Sequence, residues 1–145
     1  MFKKIICPVD FSDTSMNAAE NAIQFALENK AELTFIHVID IKAIQNIGDL
    51  SGGGINELNF LLEEEKPILK KLKEKSEKNG IKVKTILTHG EPISAILDTI
   101  KDGGYDLIIM GTHGKTGLTR LVLGSIAENV LRKSEVPVLL YHCKC

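Results

Sequence analysis

The chain has 145 residues, 43% apolar and 26% charged, which fits one globular domain over residues 1–145 with length enough to bury a core and excludes a disordered chain. A formal charge of −1 leaves no electrostatic case for nucleic acid or an anionic membrane as partner. The uncharged run after Met1-Phe2-Lys3-Lys4 is too short for a signal-peptide core, and no apolar run approaches the ~20 residues that span a bilayer, so a cytoplasmic protein is expected.

"KKIICPVD" (3–10) is a short apolar run ending in a polar turn, the pattern of a buried strand. Ser12, Asp13, Thr14 and Ser15 then offer N-caps for a helix whose face is Ala18, Ala19, Ala22, Ile23, Ala26 and Leu27. "AELTFIHVID" (31–40) is rich in β-branched and aromatic residues and predicts a second strand. Residues 41–56 lose periodicity, and "GDLSGGG" (48–54) reads as a loop. A long helix is expected over 56–79, with Leu58, Leu61, Leu62, Ile68, Leu69 and Leu72 as its stripe. Its remaining faces are crowded with Glu and Lys and read as solvated surface. Pro67 removes one backbone bond and predicts a kink, and Gly80 is a natural stop.

"IKVKTILTHG" (81–90) predicts a third strand, less buried than the others because its first half alternates. "EPISAILDTIKDGG" carries Pro92 in the first turn of a helix with Ile93, Ile96, Leu97 and Ile100 on one face. "YDLIIMG" (105–111) is a fourth strand, "SIAENVLRKSE" (125–135) a helix and "PVLLYHC" (137–143) a fifth strand. Five strands alternating with helices imply right-handed crossovers and a parallel sheet covered on both faces. Ligands of such sheets sit at the carboxyl ends of the strands where the strand order reverses. If the order is 3-2-1-4-5, Asp10 and Gly111 line opposite sides of that crevice.

The stretch "GTHGKTGLTRLVLGS" (111–125) carries the most specific chemistry. Gly114-Lys115-Thr116 suggests a P-loop, but the leading glycine position is Ile109, inside a strand, so that reading fails. A GxGxxG fingerprint fails too, because the first strand ends "PVDFSD". What remains is Gly111-x2-Gly114-x9-Gly124-Ser125. Gly111 and Gly114 let backbone approach a ligand and present N–H groups to it. Gly124-Ser125 opens a helix whose first amides suit a phosphate, and Lys115 and Arg120 add positive charge. A structural reading stands beside this: the glycines form a tight turn, and Ser125 with Glu128 forms a capping box.

The spacing resembles the nucleotide-binding signature of the universal stress protein family, with every specified position filled. "KKIICPVDFSDTSMNAAENAI", "LTFIHVID" and "PVLLY" are similar to that family's first strand and helix, second strand and last strand. The resemblance spans essentially the whole chain. It implies an α/β, Rossmann-like open sheet of order 3-2-1-4-5 that binds ATP, or ADP or AMP. It implies further that Asp10 meets the ribose hydroxyls or a phosphate-associated divalent ion, Mg2+ or Mn2+, with Pro8 and Val9 shaping the wall. Val38 then meets adenine through its backbone. Gly111, Gly114, Gly124 and Ser125 hold the phosphates, with Met110, His113 and Ile126 adjoining. For Asp10 the alternative role is a helix cap.

On this reading the protein is a stress-response regulator that switches with bound nucleotide. The alternative is a slow ATPase or autophosphorylating enzyme, for which the sequence supplies no second carboxylate and no partner for His113. The apolar fifth strand at the sheet edge predicts a homodimer through residues 137–143, and the resemblance points the same way. Cys7 reads as a buried core thiol, and three cysteines argue against a disulfide framework. The tail "HCKC" reads as carrying incidental thiols, since one C-x-C with one His does not fill a tetrahedral zinc site.

Overall fold

The computed structural model describes residues 1–48, 54–113 and 122–143. The elements run β1 (Lys4–Pro8), α1 (Asp13–Asn29), β2 (Glu32–Asp40), α2 (Ile41–Gly48), α3 (Gly54–Glu77), β3 (Val83–Gly90), α4 (Pro92–Gly103), β4 (Leu107–Gly111), α5 (Ser125–Lys133) and β5 (Val138–Tyr141). All strand pairs are parallel and the order is β3-β2-β1-β4-β5. This is the expected five-stranded sheet.

Alternation along the strands splits the core into two layers. Ile5 and Cys7 of β1, with Val9 just after it, point to one face, where Ala19, Ala22 and Ile23 of α1 and Leu69 and Leu72 of α3 cover them. Ile6 points to the other, under Ile96 and Ile100 of α4 and Ala127 and Val130 of α5. Phe35, Ile36, Ile108 and Ile109 are sealed to within 1% exposure, so the three central strands carry the densest packing. Burial pushes the Cys7 thiol far above its ordinary range, which leaves it an inert core group.

Several expectations need correction. Residues 41–48 form helix α2, where loss of periodicity predicted a loop. The Asp40 carboxylate accepts from the Lys42 N–H at 2.9 Å and starts it, and Ile44 is buried beneath it. Residues 49–53 of the expected loop lie outside the described residues. Pro67 lies inside helix α3. Ile68, placed on its apolar stripe by spacing, is 40% exposed. Strand β5 has four residues and not seven. Cys143 takes part in a disulfide, which corrects the reading of its thiol as incidental. Among the described residues no helix is long and apolar enough to cross a membrane.

Candidate functional site

The crevice arises where the chain reverses direction across the sheet. From β1 the order proceeds through β2 to β3 on one side and restarts with β4 on the other. Strands β1 and β4 stay in register only at Ile5↔Leu107 and Ile6↔Ile108, so their carboxyl ends splay apart. A cavity of about 490 Å3 opens there, within the range of small-molecule sites. A smaller hollow of about 290 Å3 lies at the opposite end of the sheet, beside Leu27, Lys30 and Ile81, where no carboxyl-terminal strand ends converge.

The cavity gathers Pro8, Val9 and Asp10 from the end of β1, Val38 from β2, Met110, Gly111 and His113 from β4, and Gly124, Ser125 and Ile126 from the start of α5. Ten of the eleven residues singled out from the sequence thus share one cavity. Gly114, with Lys115 and Arg120, lies outside the described residues.

The β1 end is held by a small network. Asp10 Oδ1 accepts from the Ser12 N–H at 3.0 Å and from the Ser12 hydroxyl at 2.5 Å. The Asp10 N–H donates to Ser15 Oγ at 2.9 Å. Ser12, whose hydroxyl accepts from the Ser15 N–H, is the N-cap of α1. Asp10 is therefore not the cap. It shapes the turn before the cap and also faces the cavity. Phe11, between them, has φ +66°, a left-handed conformation that an aromatic residue adopts only under constraint.

On β2 the edge that faces the crevice is backbone. The β1–β2 register ends at Pro8↔Ile36, with the Val9 N–H donating to the Ile36 carbonyl at 2.8 Å. Successive strand residues turn their N–H and C=O groups to opposite edges. Ile36 points toward β1, so Val38, two residues on, turns one donor and one acceptor to the same edge, past the point where β1 has left.

On the far side the long connection after β4 is pinned at its base. The Thr112 N–H donates to the Tyr141 carbonyl at 3.1 Å, and the Gly124 N–H donates to the Thr112 carbonyl at 2.7 Å. Gly124 is the N-cap of α5 and supplies no side-chain bond. The expected Ser125–Glu128 capping box is absent, because Ser125 is the first helical residue; Glu128 pairs instead with Arg132 at 2.9 Å. By contrast α1 is capped by Ser12, and α4 by Glu91, whose carboxylate accepts from Ile93 and Ser94. Among the described residues the first amides of α5, from Ser125 to Ala127, have neither an intrahelical partner nor a side-chain cap, and these residues line the cavity.

Gly111 has a packing reason that the sequence did not disclose. A Cβ there meets Thr14 Cγ2 at 2.9 Å and the Thr14 carbonyl at 3.0 Å, so the glycine lets β4 lie against the first turn of α1. His113 also has the neighbours that its sequence context lacked. Its Nδ1 lies 2.9 Å from Thr112 Oγ1, which lies 3.3 Å from Nδ1 of His142, and the two rings stack edge-on at 5.9 Å.

The rest of the lining is what sequence reasoning missed. Ala43 and Ile44 of α2, Leu61 of α3 and Pro92 and Ile96 of α4 make one end of the cavity apolar. His37 and Glu65 also line it. Glu65 corrects the reading of the α3 charges as wholly solvated: its side chain is 15% exposed and bonded to His37 at 2.7 Å. Among the described residues no group of three or more His, Cys, Asp or Glu side chains is arranged to hold a metal ion.

The fold agrees with comparisons to known proteins. Residues 1–142 match the model of the universal stress protein family. Universal stress protein MJ0531 of Methanocaldococcus jannaschii is 40% identical over 141 residues, covering 97% of this chain and 82% of that protein. MJ0577 of the same organism is 39% identical over 153 residues, covering 97% and 94%. The solved structure of MJ0577 superposes with a TM-score of 0.89, covering 100% of this chain and 99% of that one. A universal stress protein from Archaeoglobus fulgidus in complex with dAMP shares the fold at a TM-score of 0.66 and 20% identity, covering 97% of both chains.

Proposed function

The chain belongs to the universal stress protein family, and on that premise we propose that it binds an adenine nucleotide, ATP foremost, in the crevice between β1 and β4 and acts as a nucleotide-dependent switch in the stress response. The observation that carries the reading is the polarity of the cavity. At one end Val38 offers a backbone N–H and C=O beside the apolar side chains of α2, α3 and α4, matched to a flat base with one acceptor and one donor on adjacent positions. At the other end the uncapped amides of α5 meet an anion.

Between them Asp10 is positioned to accept from ribose hydroxyls. Gly111, Gly114, Gly124 and Ser125 surround the phosphates, with Pro8, Val9, Met110, His113 and Ile126 as wall. A divalent ion, Mg2+ or Mn2+, is held chiefly by the phosphates, the mode common for Mg2+ at nucleotide sites. A related protein of the same fold is bound to dAMP, which agrees with the adenine class. Oδ1 of Asp10 is committed to the turn before α1, which favours retention of the nucleotide over its hydrolysis.

Two copies pair through β5, whose outer edge is the end of the sheet. The switch is read by a protein partner through the segments beside the cavity. The test is direct: denature the purified protein and chromatograph the supernatant. ATP, ADP or AMP at near-stoichiometric amounts is the expected result; no nucleotide there, together with no binding of added ATP, overturns the reading. Multiple turnovers of phosphate release favour the enzyme instead.

A further inference from the structure

Behind the base-side wall four groups bind one another in a way the proposed nucleotide contacts do not use. His37 Nδ1 lies 2.7 Å from the Val9 carbonyl, and Nε2 lies 2.7 Å from Oε2 of Glu65. The ring of Phe11 packs on the imidazole at 4.4 Å. These contacts join the end of β1, the turn carrying Asp10, the middle of β2 and helix α3.

The proton count follows from chemistry. A carbonyl only accepts, so Nδ1 carries a hydrogen and donates it to Val9. At 2.7 Å a hydrogen also lies between Nε2 and the Glu65 carboxylate. The pair is therefore an imidazolium with a carboxylate, or an imidazole with a carboxylic acid. Either way it holds one hydrogen more than a neutral ring beside a carboxylate. Remove that hydrogen and two lone pairs face each other in a place where His37 is 5% exposed, so little water replaces the lost bond.

What the pair holds is the frame of the crevice. The residue after Val9 is Asp10, and the residue after His37 is Val38. Glu65 and Leu61, one turn apart on α3, both line the cavity. The other ionisable groups on the cavity wall are Asp10 of the β1–α1 turn, Asp40 at the end of β2 and His113 after β4. From β3 the residue in register with His37 is Leu87, which brings no charge.

We infer that His37 and Glu65 form a hydrogen-bonded positioning pair that fixes Val38 and the Asp10 turn relative to each other and ties both to α3, so that nucleotide affinity falls when the contact is broken. The inference rests on the nucleotide reading above, and its tests separate the two. Calorimetric titration of ATP is expected to show Glu65→Leu, which keeps the bulk and removes the acceptor, binding about tenfold more weakly than wild type. Glu65→Gln supplies an amide N–H that donates to a neutral Nε2, so the contact survives, and it is expected to regain all but about twofold of the lost affinity. His37→Asn keeps a donor toward Val9 and leaves Glu65 without its partner, and is expected to bind about tenfold more weakly.

Wild-type affinity in Glu65→Leu, or equal losses in Glu65→Leu and Glu65→Gln, overturns the inference, because the hydrogen bond then contributes nothing beyond the bulk of the side chain. If wild type binds no ATP at any pH, the nucleotide reading falls, and the pair is judged by 15N spectra of the His37 ring. Hydrogens on or shared at both nitrogens support it. A ring without a hydrogen on Nδ1 contradicts it.

Discussion

On the β1–β2 side of the crevice the wall is fixed by side chains, and on the β4–α5 side by backbone. The first side depends on Asp10 bonding Ser12, on His37 bonding Val9 and Glu65, and on Phe11 held at φ +66° against the imidazole. The second depends on a glycine with no room for a Cβ, a Gly124–Thr112 backbone bond and a helix start with no side-chain cap. Side-chain bonds hold a shape that recognises a neutral, planar group. Exposed amides suit an anion, and a capping side chain would compete with it. The two walls therefore answer to different substitutions: polar exchanges unsettle the first, while only changes at the backbone reach the second.

The largest effect expected on this contrast comes from Gly111→Val. Its side chain runs into Thr14, so α1 must shift, and the protein is expected to lose about 2 kcal/mol in denaturant unfolding together with its nucleotide affinity. Unchanged stability with lost binding would assign the glycine to ligand clearance alone. Ser125→Pro comes next. Proline is favoured at the first helical position, and Gly124 at ψ 151° accepts a following proline, so stability should hold. The lost N–H is expected to weaken ATP about tenfold and leave adenosine unaffected, as measured by calorimetry. Equal losses for both ligands would break the assignment of this wall to phosphate.

Asp10→Asn is milder. The amide oxygen still accepts from Ser12, so unfolding should change by less than about 0.5 kcal/mol, while affinity falls about fivefold through a weaker ribose contact. The smallest effect lies outside both walls. Bonds from the Ser94 and then the Ile93 N–H hold the exposed Glu91 carboxyl below its ordinary value, so its cap stabilises α4 above the carboxylate range and is lost as pH falls through it. Glu91→Gln should lower the thermal midpoint slightly at pH 7, not at pH 3, and leave ATP affinity alone.

Much of the site was legible because it consists of residues near in sequence to strand ends. Asp10 follows β1, Gly111 ends β4 and Ser125 starts α5, so the α/β alternation brings them to one edge of the sheet, while Val38 is implied only by the family resemblance. Glu65 and Leu61 were not legible. They lie mid-helix in a charge-rich run, where only the rotation of α3 against β2 decides which carboxylate turns inward. Helix α2 was missed because its apolar positions are too few to set a period before the glycine run, and its start depends on Asp40 capping its own neighbour. The packing role of Gly111 was hidden for a similar reason: Thr14 lies far from it in the chain.

The central claim is that one crevice holds an adenine nucleotide between the Val38 backbone and the first amides of α5. The most direct measurement is an amide chemical-shift titration with ATP. The account predicts the largest shifts at Val38 and at Ser125, Ile126 and Ala127, with adenosine moving only the first of these. Shifts confined to other regions, or none at millimolar ATP, would contradict it.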